Sequence, residues 1–149
     1  MTISHIGGYT MMTYIHTNPF DKDLYPMNFA FKWTTELLWE VGIPLNVHGY
    51  HYLLDAVQLA LTLPELCTNL SQQLYPCIAK RYHTSASSVE RSIRHAIELA
   101  WKRGNLAAAN GFFGRSFNLV YEKPTNSEMI ALLTDKIRAK IYENKFKNG

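Results

Sequence analysis

The sequence predicts an all-α domain that contains a helix-turn-helix unit. Apolar residues recur three and four apart through successive segments from residue 32 onward, and no segment alternates long enough to make a half-buried strand. Gly-Ile-Pro, Leu-Pro and Lys-Pro stops separate these segments. With 149 residues and 47% hydrophobic content, the chain can build one core without disulfides or a metal.

Residues 1–31 hold Gly7-Gly8, Pro19, Pro26 and the aromatics Tyr9, Tyr14, Phe20, Tyr25, Phe29 and Phe31, with neither a helical nor a strand period. They read as an N-terminal extension suited to packing on the domain or on a second copy, which leaves residues 32–149 as the domain. From Lys32 the pattern turns helical: Trp33, Leu37, Leu38 and Val41 form a stripe that Gly42-Ile43-Pro44 stops. Tyr50, Leu53, Leu54, Val57 and Leu61 line one face of a second helix that ends at Leu63-Pro64, and Pro64 suits the first turn of a third. Ser71 to Tyr82 places Leu74, Ile78 and Tyr82 four apart, with Pro76 in the first turn or at a kink. Ser87 to Arg103 is the most regular segment, striped by Val89, Ile93, Ala96, Ile97, Ala100 and Trp101 and ended by Gly104-Asn105. An aromatic loop or helix, Leu106 to Phe117, precedes Lys123-Pro124. Thr125-Asn126-Ser127-Glu128 then has the form of a capping box opening a last helix with Met129, Leu132, Leu133, Ile137 and Ile141.

The net charge of +3 is unevenly spread. Residues 1–79 carry two basic and six acidic side chains, residues 80–103 six and two, and residues 104–149 seven and four. Positive charge therefore begins at Lys80. Cys67 and Cys77 make no disulfide framework and suit a reducing compartment as small apolar residues. There is no Lys or Arg before Lys22 and no apolar stretch long enough for a signal or a span, so the expected location is the cytoplasm, away from membranes.

The short polar turn His83-Thr84-Ser85-Ala86 between two helices has helix-turn-helix size, although His83 stands where such turns often have Gly. On a helical projection Arg91, His95, Glu98 and Lys102 fall opposite the apolar stripe, with Arg94 at its edge. A recognition helix needs this division, because its apolar face seats it on the domain while long polar side chains near its start reach base edges. Arg91 and Arg94 would each grip a guanine through a bidentate fork, worth about 1–3 kcal/mol of discrimination. Glu90 would accept from cytosine, close a capping box with Ser87, or pair with Arg94 four residues on. Ser85, Ser87 and Ser88 form a phosphate seat at the helix start, and Lys80, Arg81, Lys102 and Arg103 add backbone contacts.

The segments GIP (42–44), GYHYL (49–53), LYPCIAKRY (74–82), TSASSVERSIRHAIELAWKRGN (84–105), FFG (112–114) and KPTNSEMIALLTDKIR (123–138) closely resemble the C-terminal effector domains of the sporulation stage zero protein A family. The resemblance covers roughly residues 32–140. It implies a six-helix, winged-helix-like effector domain of the response-regulator type that binds double-stranded DNA at TGTCGAA-like boxes, often as tandem copies or a homodimer. Such a domain activates or represses transcription of sporulation genes. By position it implies Glu90, Arg91 and Arg94 as base readers, with Ser85, Ser87 and His95 beside them on the DNA. A surface around the aromatic loop, here Phe113 and Phe117, would meet the RNA polymerase sigma subunit, with core packing the competing role for both and the favoured one for Phe113. Residues 1–31 are too short for the receiver domain of full-length members, so an effector without one is expected. Ser88 stands where the family often has a basic residue, and His48 and His51 lie in a region that is commonly basic.

Enzyme chemistry is not expected. His48-x-x-His51 lacks a further carboxylate or histidine pattern for a metal, neither cysteine has a recognisable partner base, and no cofactor motif is present. The competing function is a receiver-less protein-interaction module that pairs with a full-length regulator or with polymerase, using Phe20, Tyr25, Phe29 and Phe31.

Overall fold

The structure, a computed structural model, describes residues 5–6, 9–10, 27–103 and 122–147. Among them the chain forms five α-helices: α1 (Met27–Glu40), α2 (His48–Thr62), α3 (Tyr75–Arg81), α4 (Ala86–Lys102) and α5 (Asn126–Lys147). A two-residue antiparallel ladder pairs β1 (His5–Ile6) with β2 (Tyr9–Thr10), His5 facing Thr10 and Ile6 facing Tyr9. The predicted helical class holds. The aromatic segment Leu106 to Phe117, with Phe113 and Phe117, lies outside the described residues.

Helix α1 starts at Met27, five residues before the start expected from large apolar residues. Its buried side is carried upstream by Ala30 and then Thr34, a small and a polar residue that a hydrophobic stripe does not register. Thr34 is fully buried because its hydroxyl donates to the Ala30 carbonyl (2.6 Å) and accepts from the Gln58 amide (3.0 Å). The helix stops where Gly42 takes φ 83°, so that Gly42 N–H reaches the Trp39 carbonyl and Ile43 N–H the Leu38 carbonyl, each at 3.0 Å. Gly adopts this left-handed geometry without steric cost.

Helix α2 is the centre of the fold. Eleven of its fifteen residues are buried, including Asp55 and Gln58, because α1, α4 and α5 all pack on it. The one-sided apolar face read from the sequence understates this burial. After Leu63 the chain makes a 3-10 turn, Pro64–Thr68, and a wider π-type turn, Leu70–Leu74, in which Tyr75 N–H reaches the Leu70 carbonyl. The helix expected over Ser71 to Tyr82 is therefore present, but its first turn is π-type and α geometry begins only at Tyr75. Pro76 would press on the carbonyl four residues back in a continuous α-helix, whereas in the first turn of α3 its missing N–H costs nothing. Leu38, Leu53, Leu59, Leu66, Leu74, Ile78, Ile93, Ile97 and Met129 are the largest fully buried side chains, so every helix contributes to one core. Among the described residues no helix is long and apolar enough to cross a membrane.

Candidate nucleic-acid interface

Helices α3 and α4 are joined by a turn that closes in the same way as the end of α1. Tyr82 N–H reaches the Ile78 carbonyl (3.2 Å), Thr84 N–H reaches the Ala79 carbonyl (3.0 Å), and His83 between them has φ 53°. His83 thus occupies the left-handed position that Gly42 fills after α1, at a steric cost of about 1–2 kcal/mol for a residue with a β-carbon. Ser85 follows in extended backbone and caps α4, its hydroxyl accepting from Ser88 N–H at 3.2 Å. The cap is therefore Ser85 and not Ser87, which already lies inside the helix. The capping box considered for Ser87 and Glu90 does not form. Ser87 and Ser88 instead gather on the Ser85 hydroxyl, at 3.2 and 3.0 Å.

Val89, Ile93, Ala96, Ile97 and Ala100 are buried, which matches the stripe read from the sequence, with Trp101 half-buried beside them. The helix lies very close to α2 at Gly49. A β-carbon there would sit 2.2 Å from the Ser92 carbonyl oxygen and 2.6 Å from the Ala96 β-carbon. Only hydrogen fits, so Gly49 sets how near α4 lies to the central helix.

On the opposite face Arg91, Arg94, His95 and Lys102 are exposed, as are Ser85, Ser87, Lys80 and Arg103 at the two ends of the unit. These cations and hydroxyls lie opposite the buried apolar stripe that seats the helix. Within it Glu90 and Arg94 hold each other, Arg94 Nη1 lying 2.6 Å from Glu90 Oε1, and Lys102 approaches Glu98 at 3.6 Å. Of the three roles open to Glu90, the isolated chain displays the pair with Arg94. Arg91 points outward at the middle of the face.

Arg81 is placed differently from the other cations. Its guanidinium lies 3.3 Å from Asp55, whose side chain is only 7% exposed, and it also stacks over the Tyr82 ring at 5.7 Å. Tyr82 packs edge-on against Tyr52 with ring centres 5.0 Å apart. Burial, reinforced by the facing Asp55 carboxylate and the hydrogen bond to it, pushes the Tyr82 hydroxyl above its ordinary range. The phenol therefore stays protonated at neutral pH. This cluster ties the end of α3 to α2, which gives Arg81 a structural partner 26 residues away.

Three residues of this region escaped the sequence reading. Gly49 carries no chemistry and signals itself only through the approach it permits. Lys123 shares a cleft with Arg94, Glu90 and Ser71, adding a cation from the segment that leads into α5. Asn126 donates from Nδ2 to the Glu90 carbonyl (3.0 Å) and to the Tyr75 hydroxyl (3.2 Å), linking elements separated by 36 and 51 residues. The sequence presented it only as the second position of a capping box. His48 stacks near Tyr52 (6.2 Å between ring centres) and His51 lies edge-on to Tyr50 (5.3 Å). Among the described residues no three His, Cys, Asp or Glu side chains gather as a metal site. Burial pushes the Cys77 thiol up to about 11 and raises Cys67 as well, so neither is an activated nucleophile.

Residues 34–137 match the family model described as sporulation initiation factor Spo0A C terminal. The match takes in α2, α3 and α4 whole, together with the second half of α1 and the first half of α5.

Proposed function

Because the chain belongs to the Spo0A C-terminal family, whose members are helix-turn-helix DNA-binding effector domains of a sporulation regulator and not enzymes, we propose that it regulates transcription by laying the first half of α4 in the major groove. The observation that carries this reading is the division of α4 into a buried face fitted to α2 and an opposite face of Arg91, Arg94, His95 and Lys102. Arg91 and Arg94 read guanines, and Glu90 either accepts from a cytosine or orients Arg94. Ser85, Ser87 and Ser88 at the start of α4, with Lys80, Lys102 and Arg103, neutralise phosphates. His95 lies beside them. Arg81 acts on DNA chiefly through the turn that it holds.

The finer assignment is to TGTCGAA-like boxes in sporulation-type genes, occupied by tandem copies, with Phe113 and Phe117 facing the sigma subunit of RNA polymerase in the cytoplasm. The effector domain takes in α1 from Met27, ahead of the boundary at residue 32 expected from the sequence, and the residues before α1 are its extension.

The test is a fluorescence-anisotropy titration against a duplex carrying two such boxes and a scrambled duplex, repeated over a range of salt. The box is expected to bind at least about a thousandfold more tightly. Arg94→Ala should lose about 1–3 kcal/mol of that preference while retaining weak general binding. Lys102→Ala should weaken both duplexes alike and reduce the salt slope by about one. Equal binding of both duplexes by the unmodified chain would overturn autonomous DNA reading and favour the protein-interaction module.

A further inference from the structure

We infer that Asn126 is a positioning residue for DNA reading: it fixes the rotation of α4 about its own axis and so decides where Arg91 and Arg94 point. This rests on α4 being the recognition helix. The contacts that seat α4 on the core are apolar and non-directional, and a set of such contacts tolerates small rotations. Asn126 supplies a directional tie on the flank. Its amide nitrogen carries two hydrogens, one donated to the Glu90 carbonyl at 3.0 Å and one to the Tyr75 hydroxyl at 3.2 Å. A carbonyl only accepts, so the nitrogen and not the oxygen of the amide must face Glu90. One side chain therefore joins the first residue of α5, the first residue of α3 and the flank of α4.

The tie lands at the reading end of the helix. Glu90 precedes Arg91 directly, and its carboxylate holds the Arg94 guanidinium at 2.6 Å. The backbone of Glu90 is thus anchored by Asn126 while its side chain anchors Arg94. Side-chain tips lie about 6 Å from a helix axis, so a rotation of about 10° moves them roughly 1 Å. That exceeds the tolerance of about 0.5 Å for a productive constellation.

Asn126→Asp separates this role from ordinary helix capping. An acid in the first turn of α5 favours the helix dipole, so a residue that merely starts the helix would accept the change. A positioning residue would not, because the change replaces both donors with acceptors opposite a carbonyl. The measured quantity is the ratio of scrambled-duplex to box-duplex Kd at fixed salt, with the thermal midpoint taken in parallel. Ser127→Asp is the control, adding the same charge one residue away without touching Glu90.

We expect Asn126→Asp to cut the ratio by about tenfold, in line with the loss of one base contact, with Asn126→Ala falling by less. Tyr75→Phe, which removes one arm and keeps the ring packed, should fall least. Ser127→Asp should weaken both duplexes and keep the ratio. If the Asn126 variants do not fold, Tyr75→Phe decides alone, through a ratio that drops at an unchanged midpoint. An unchanged ratio in the folded variants, or an equal drop in Ser127→Asp, would overturn the assignment of Asn126 only. A ratio of one in the unmodified chain would overturn base reading by α4 and the role of Asn126 together.

Discussion

Helices α4 and α5 both begin on a hydroxyl, and they use it in opposite ways. At α5 the Thr125 hydroxyl accepts from Glu128 N–H (3.2 Å) and donates to the Glu128 carboxylate (2.8 Å), which also accepts from Thr125 N–H (3.4 Å). That is the reciprocal box read from the sequence, with its acid folded onto the helix end. At α4 the Ser85 hydroxyl caps alone, the first turn has no acid, and Ser87 and Ser88 crowd the cap. A carboxylate already neutralises the positive end of α5, whereas the positive end of α4 faces solvent and suits an anion from outside. The difference teaches that capping chemistry alone does not mark an interface. What separates the two helix ends is whether the end of the dipole has an internal counter-charge.

The largest effect should come from removing the seat of α4 while the α5 cap stays intact. Gly49→Ala drives a β-carbon into the Ser92 carbonyl and the Ala96 side chain, and the obstructing atoms are largely backbone. We expect a loss of about 3 kcal/mol by urea denaturation, with box binding lost in whatever fraction remains folded.

Next in size is Arg81→Ala, which leaves the buried Asp55 carboxylate without its cation. A stability loss of about 2 kcal/mol is expected, smaller than for a fully buried pair because Arg81 is 37% exposed. Lys102→Ala should leave denaturation unchanged. Equal stability of the two variants would return Arg81 to the set of simple phosphate contacts.

The comparison of caps is sharpened by exchanging them. Ser85→Ala and Thr125→Ala should each cost about 1 kcal/mol, and only the first should weaken DNA binding. Ser88→Glu installs at α4 the acid that α5 already has, three residues after its cap. It should raise the unfolding free energy by about 0.5 kcal/mol and weaken binding of both duplexes. A variant in which stability and affinity rise together would contradict the reading of this helix end as a phosphate seat.

One further effect appears only in alkali. The buried Cys77 thiol keeps its proton up to about 11, whereas the unfolded chain releases it near 9. Over that window the folded state binds more protons than the unfolded state, so stability is complete below pH 9 and falls as pH rises to 11. The slope is at most about 1.4 kcal/mol per pH unit. The raised Tyr75 and Tyr82 hydroxyls add a loss of the same sign above pH 10. Urea denaturation between pH 8 and 10 should show the slope, and Cys77→Ala should remove it there.

Much of the candidate interface was legible because it is built from local patterns. The stripe Val89, Ile93, Ala96, Ile97 and Ala100 is buried as its spacing requires, and the capping box at Thr125 forms as written. The onset of charge at Lys80 marks the unit that carries Arg91, Arg94 and Lys102 on its outer face. Less legible were helix ends whose buried side is small or polar. Ala30, a small residue on the buried side, hid the start of α1, and three nearby serines left the cap of α4 open between Ser85 and Ser87.

By itself the sequence determined the helical class, the positions of the main helices, the family to which residues 34–137 belong and the faces that α4 turns inward and outward. These follow from periodicity and capping, which act over a few residues and are encoded where they act. Only the tertiary structure decided that Arg81 serves Asp55, that Gly49 lets α4 lie against α2, and that Asn126 ties α4 to α3 and α5. Each depends on groups 26 to 51 residues apart in the chain and within van der Waals or hydrogen-bond reach in space. Nothing in the neighbourhood of either partner specifies the other, because it is the packing of the intervening helices that brings them together.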